Sequence, residues 1–240
     1  MAKSTDIAKT EGNALPAFMN QGPARGSEQV TGDDLTIPQL SIVQSLSPVR
    51  QKNDPQYIEG ADEGMIYNKL TGELYGDEVE VCPCMYMKEY SLWKERDAGG
   101  GFRGSFPTAE AAEEERTRLE DGDVCEVVET GVHYVLVKTD NGLTEAAIFM
   151  TKSALKASRK WNSLVRLNGG DRFSRMYRLS TIQQTNSKNQ AYYNWSAASL
   201  SFVDEETYKR AEEIYEMVAA GQVRVSKDEN KGEAPENTDY

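Results

Sequence analysis

The sequence predicts a mainly β fold of α+β class, and three observations predict it. Runs rich in Val, Ile, Tyr and Phe recur between Gly, Asn and Pro turn signals across residues 36–203, the pattern of successive short strands. Only two or three segments read as helices, and these are expected at the periphery. Both ends are polar, so one core is expected in the middle of a 240-residue chain, which is long enough to bury it without covalent staples.

Residues 1–35 mix Gly12, Gly22, Gly26, Gly32, Pro16 and Pro23 with small polar residues and hold no sustained period. They are expected to form a disordered arm in which the LPAFM patch at 15–19 is incidental. The stretch TIPQLSIVQSLSP then sets Ile37, Leu40, Ile42, Val43 and Leu46 between prolines. It predicts the first core element, with helix and strand both open. GMIYNKLTGELYGDEVEVCPCMYM reads as a hairpin, with a strand over 65–68, a turn at Thr71-Gly72 and a return strand over 79–87. KEYSLWK either extends that strand or opens a loop.

DAGGGFRGSFPT is expected to be a mobile loop carrying Arg103. Its match to GxGxxG is a weak sign of nucleotide binding, because the next helix starts beyond Pro107 and has an acidic surface. That helix, TAEAAEEERTRLE, takes Thr108 as its cap and Glu110 in its first turn. DVCEVVETGVHYVLVKTDNGLTEAAIFM predicts three strands, with a tight turn at Thr130-Gly131 and a hairpin turn at Asp140-Asn141-Gly142.

A helix over 152–167 follows, capped by Thr151 and stopped by Asn168-Gly169-Gly170. At about 100° per residue, Ala154, Ala157, Trp161, Leu164 and Val165 share one arc, which makes Trp161 a core anchor. Lys152, Lys156, Arg159 and Arg166 fall on the opposite arc, with Lys160 at its edge. Two strands, RMYRLSTIQQ and QAYYNWSAASLSFV, are expected around a turn at 185–189. Alternation puts Tyr193, Trp195 and Ala197 on one face of the second, and Tyr192, Ala198, Leu200 and Phe202 on the other. A final helix over 204–221 takes Asp204 as cap, with Tyr208, Ala211, Tyr215 and Val218 at helical spacing and Gly221 as its end. Residues 222–240 are polar and expected to be a disordered acidic tail.

Charge is segregated along this chain. The total is -12, yet residues 151–178 hold eight Lys or Arg against one acid. Residues 109–130 carry nine acids against two bases, and 204–240 eleven against five. A basic segment threaded with aromatics suits a single-stranded nucleic acid, because cations hold the backbone and aromatic faces accept any base. The candidate phosphate contacts are Lys152, Lys156, Arg159, Lys160, Arg166, Arg172, Arg175 and Arg178, with Arg103 from the loop. The candidate stacking residues are Tyr90, Trp93, Tyr193 and Trp195.

Other chemistries find little support. Three cysteines make no disulfide framework and suit a reducing cytoplasm. Cys82, Cys84, Cys125 and His133 have the right types for zinc, but a turn at Thr130-Gly131 would set Cys125 and His133 on opposite faces of a hairpin. Buried cysteines are expected instead, with no metal and no cofactor. The lone histidine sits in a strand-like run, and no nucleophile, base and oxyanion site assembles, so no enzymatic activity is expected. No apolar run approaches the roughly 20 residues that span a bilayer.

Three local patterns carry a resemblance: IPQLSIVQSLSP with YIEGADEGMIYNKLTGELYG, EYSLWKERDAGGG, and the strands around YYNWS. Together they resemble phage single-stranded DNA-binding proteins. The resemblance implies a five-stranded barrel of the oligonucleotide-binding (OB) type over 36–203, with inserted helices. It implies binding and protection of single-stranded DNA, without strong sequence preference, during phage replication or recombination in the host cytoplasm. It also implies a tail, ending here in Asp239 and Tyr240, that recruits replication or recombination proteins and competes with DNA. Here residues 226–240 hold five acids diluted by Lys227 and Lys231, and the chain ends in Tyr where the family often has Phe. A homodimer stays open. Strand annealing is the nearest alternative activity; a virion or assembly protein without a nucleic acid role is the alternative of another class.

Overall fold

The computed structural model describes residues 36–221. The expected N-terminal arm and acidic tail, with Asp239 and Tyr240, lie outside the described residues. What is described is mostly β, with three helices on a sheet curled into an open half-barrel. The nine strands are β1 (Gln39–Ile42), β2 (Ile66–Asn68), β3 (Leu74–Gly76), β4 (Glu78–Lys94), β5 (Phe102–Phe106), β6 (Cys125–Thr139), β7 (Gly142–Thr151), β8 (Arg175–Thr185) and β9 (Ala191–Phe202). The helices are α1 (Ala109–Arg118), α2 (Ala154–Asn168) and α3 (Glu205–Ala219). The mainly β class with peripheral helices is as expected, and the sheet is larger than the five strands that the resemblance implies.

The strands lie in the order β3-β2-β1-β7-β6-β4-β8-β9, with β5 added to β4. Neighbours are antiparallel except β1 and β7. β4 serves three partners along its length: residues 78–81 pair with β8, 81–94 with β6, and 90–93 with β5. Its far half, residues 85–94, pairs with residues 125–134 of β6 and carries β5, with α1 packed against these strands.

Both faces of the sheet are buried. Val79, Val81, Val135, Val137, Ile148, Met150, Tyr177, Leu179, Trp195 and Ala197 form the inner core with Trp161 of α2. Cys82, Cys84, Val132, Tyr134, Leu136 and Phe173 form the outer core against Ala211, Ile214 and Val218 of α3. A strand buried on both sides reads as a continuous apolar run, which is why VHYVLV shows no alternation.

Several local readings change in the structure. The predicted turn at Thr130-Gly131 is absent, and β6 runs straight through it. Each of these residues is held between Lys88 or Glu89 of β4 and Met150 or Thr151 of β7, so both sides are already paired. Gly131 serves close packing instead: a Cβ there would lie 2.9 Å from Ser158 Oγ and 3.2 Å from the Tyr86 ring. The return strand of the first hairpin is β3, because Gly76 at φ 77° turns the chain before β4 begins. KEYSLWK extends β4, and the Arg103 segment is strand β5 rather than a mobile loop.

The helix readings hold with shifts of phase. Thr108 Oγ1 accepts from the Ala111 N–H, and Asp204 Oδ1 from the Thr207 N–H, as helix caps do. α2 begins at Ala154, with Ser153 and not Thr151 in the N-cap position, after a turn in which Lys152 takes φ 45°. In α3, Ile214 is buried and Tyr215 exposed.

Candidate nucleic-acid interface

α2 organises the candidate site. Its apolar stripe (Ala154, Ala157, Trp161, Leu164 and Val165) packs on the inner core, as its period predicts. A buried polar network fixes the helix in place. His133 is fully buried and stacks on Trp161 at 4.4 Å between ring centres. Its Nε2 lies 2.8 Å from Ser158 Oγ, and its Nδ1 lies 2.9 Å from an Arg172 guanidinium nitrogen. Arginine only donates, so Nδ1 accepts and the ring proton sits on Nε2, donated to Ser158. The other guanidinium arm donates to Asn162 Oδ1 at 2.9 Å. Burial and the Arg172 charge hold the His133 pKa well below its usual value, so the ring is neutral at pH 7. Burial also lowers the Arg172 pKa, to about 10. Arg172, expected at a phosphate, thus spends its guanidinium on His133 and Asn162 and braces α2 against the sheet.

The outer face of α2 carries Lys156, Arg159, Lys160 and Arg166, all exposed. Lys156, Lys160 and Arg166 have no ion-pair partner among the described residues. Other predicted cations are already paired: Lys152 with Glu126 at 3.2 Å, Arg103 with Asp121 at 2.7 Å, and Arg178 with Glu78 and Glu80 at 3.7 Å. Arg159 reaches Glu129 only at 3.8 Å.

Arg159 ties α2, and Lys152 the turn before it, to the first part of β6. Glu126 lies opposite Trp93 in the ladder, and Glu129 opposite Tyr90. Lys152 and Arg159 therefore sit across β6 from two of the predicted stacking residues. Trp93 is half-buried, with its ring 5.1 Å from that of Phe102. Asp121 gathers Lys94 and Arg103 at 2.9 and 2.7 Å, which holds its carboxyl below the usual range.

The remaining aromatics separate. Trp195 is buried in the inner core and has no face for a base, contrary to the expected stacking role. Its strand position predicts the core-facing side equally well, and only the curl of the sheet decides. Tyr193 packs beside the same core. Arg175 caps the exposed Phe202, its guanidinium carbon 4.1 Å from the ring centre.

Sequence reasoning missed Gln44, Glu126, Glu129 and Phe202. The two glutamates were visible only as part of an acidic run, and no local signal marks Gln44. Cys82 and Cys84 lie in the outer core, on the opposite side of the sheet from His133. Among the described residues no three His, Cys, Asp or Glu side chains are grouped to hold a metal ion. A cleft of about 480 Å³ near α3 is lined by Arg172 together with Asp171, Glu212 and Glu216, whose carboxylates disfavour phosphate.

A family model described as Pam3 phage gp34-like protein matches residues 9–224. No curated protein and no solved structure matches the chain.

Proposed function

The chain belongs to the Pam3 phage gp34-like protein family, and from that premise we propose that it binds and protects single-stranded DNA during phage replication or recombination. The observation that carries this reading is the α2 face, where Lys156, Lys160 and Arg166 stand exposed with no acid partner among the described residues, in a chain of net charge -12. Unpaired cations release counterions when they meet phosphate, whereas paired ones must first give up a carboxylate. A rigid helix on a curled sheet, with half-buried aromatics across β6, offers a backbone track beside base-sized surfaces. Cations that hold phosphates and aromatic faces that accept any base carry no sequence information, so little sequence preference is expected. The C-terminal segment, with Asp239 and Tyr240, is proposed to contact replication or recombination proteins and to compete for the same cations.

Fluorescence anisotropy with labelled single-stranded and duplex oligonucleotides at two salt concentrations tests this. The expected result is salt-dependent preference for the single strand, strengthened when the chain is truncated after Ser226. Lys156→Glu with Lys160→Glu should weaken binding by an order of magnitude or more at low salt and reduce the salt slope by about 0.7 per cation lost. No binding by the wild type at low salt would overturn the reading.

A further inference from the structure

We infer that Phe202, held beneath Arg175 at the C-terminal end of α2, is a base-stacking platform that continues the cationic track of that helix. This inference rests on the single-strand reading above and adds a residue that simple strand alternation assigns to the wrong face.

The argument begins with the β8–β9 ladder. Tyr177 pairs with Ser199 and Arg175 pairs with Phe202, so two steps on β8 correspond to three on β9. The extra residue is a bulge, and it inverts the alternation of side chains beyond it. Arg175 and Tyr177 are two apart on β8 and share a face. Tyr177 belongs to the inner core beneath α2, and residues paired across a ladder point the same way. Phe202 therefore lies on the α2 side, not with Tyr192 and Ala198 as plain alternation would have it.

Side-chain contacts agree with this placement. Asn168, the last residue of α2, donates to Tyr177 Oη and Ser199 Oγ, both at 2.9 Å. The helix end is thereby fixed beside the ladder position next to Arg175 and Phe202. Arg175 donates to the Leu200 carbonyl in the bulge. Its guanidinium lies over one face of the Phe202 ring at 4.1 Å, yet Phe202 remains 66% exposed. An aromatic ring with a locked cation on one side and solvent on the other needs no rearrangement to receive a base. Arg166, on the last turn of α2, supplies the neighbouring phosphate contact.

The test uses the full chain and compares Phe202→Leu with the wild type on two single strands of equal length, oligo-dT and an abasic strand. The expected outcome is about a tenfold loss for oligo-dT, the usual weight of one stacked base, with little change for the abasic strand. Photocrosslinking with an iododeoxyuridine strand should give an adduct on the peptide containing Phe202. Equal affinity of variant and wild type for oligo-dT, or an equal loss on both strands, overturns the platform while leaving the single-strand reading standing. Failure of the wild type to bind either strand overturns both.

Discussion

At the scale of single residues, His133 shows how a buried neutral ring ties stability to pH. It is the only histidine in the chain, and burial beside Arg172 lowers its pKa well below the ordinary value of 6.5. The unfolded chain takes up its proton near pH 6.5, while the folded chain refuses it until much lower. Stability from this residue is therefore present above about pH 6.5 and lost as the pH falls from there toward the folded value. The slope reaches at most about 1.4 kcal/mol per pH unit. Urea unfolding at pH 7.5 and 5.5 should show a fall in the wild type that His133→Gln reduces, whatever the variant's stability at pH 7.5. Equal pH dependence in the two proteins would mean that the ring is already protonated or exposed. The sequence identified Trp161 as core, because helical period is a local property. It did not identify Trp195 as buried or Arg172 as bound to His133, because the elements they meet are distant in the chain.

At the scale of elements, the distinction that matters along α2 is between paired and unpaired cations. Counting Lys and Arg located the basic segment, but the acids that neutralise part of it come from β4 and β6. Glu129 is the sharpest case, since it holds Lys88 at 3.0 Å and meets Arg159 at 3.8 Å. If α2 tracks phosphates, Glu129→Gln frees both cations at the edge of the track. Single-strand affinity should then rise several-fold at low salt, and the salt slope should steepen by up to about 0.7 for each cation that engages a phosphate. Affinity unchanged at low salt would place the track away from the N-terminal half of α2. The local punctuation of these elements was largely readable: Thr108, Asp204, Gly169 and the turn after Asp140 mark real ends. Thr130-Gly131 misled because the same dipeptide that turns a free hairpin is held extended when strands flank it on both sides. The bulge before Phe202 leaves no sequence mark at all.

At the scale of the whole molecule, the mainly β class could be read from the chain, but not how the sheet closes, since that depends on pairings between distant segments. The sheet stays open between β9 and the segment after β1, and side chains bridge the gap. Gln44 Nε2 donates to the Tyr193 carbonyl at 2.7 Å, and Gln44 Oε1 accepts from the Tyr193 N–H at 2.9 Å. A side-chain amide thus does what a neighbouring strand would do for an edge residue. Gly64 completes the seam: a Cβ there would lie 2.6 Å from the Tyr193 ring, and its carbonyl accepts from Thr181 Oγ1 at 2.7 Å. Removing the clip with Gln44→Ala should cost about 1–3 kcal/mol for two hydrogen bonds at a half-buried site. Gln44→Glu should be no better at pH 7, since a carboxylate still accepts from the N–H but faces the carbonyl with no proton to donate. Hydrogen exchange at the Tyr193 amide reads this contact directly and should quicken in Gln44→Ala, while amides in the centre of β6 keep their protection relative to global unfolding. An unchanged Tyr193 amide in Gln44→Ala would show that the Gly64 and Thr181 contacts alone hold this seam together.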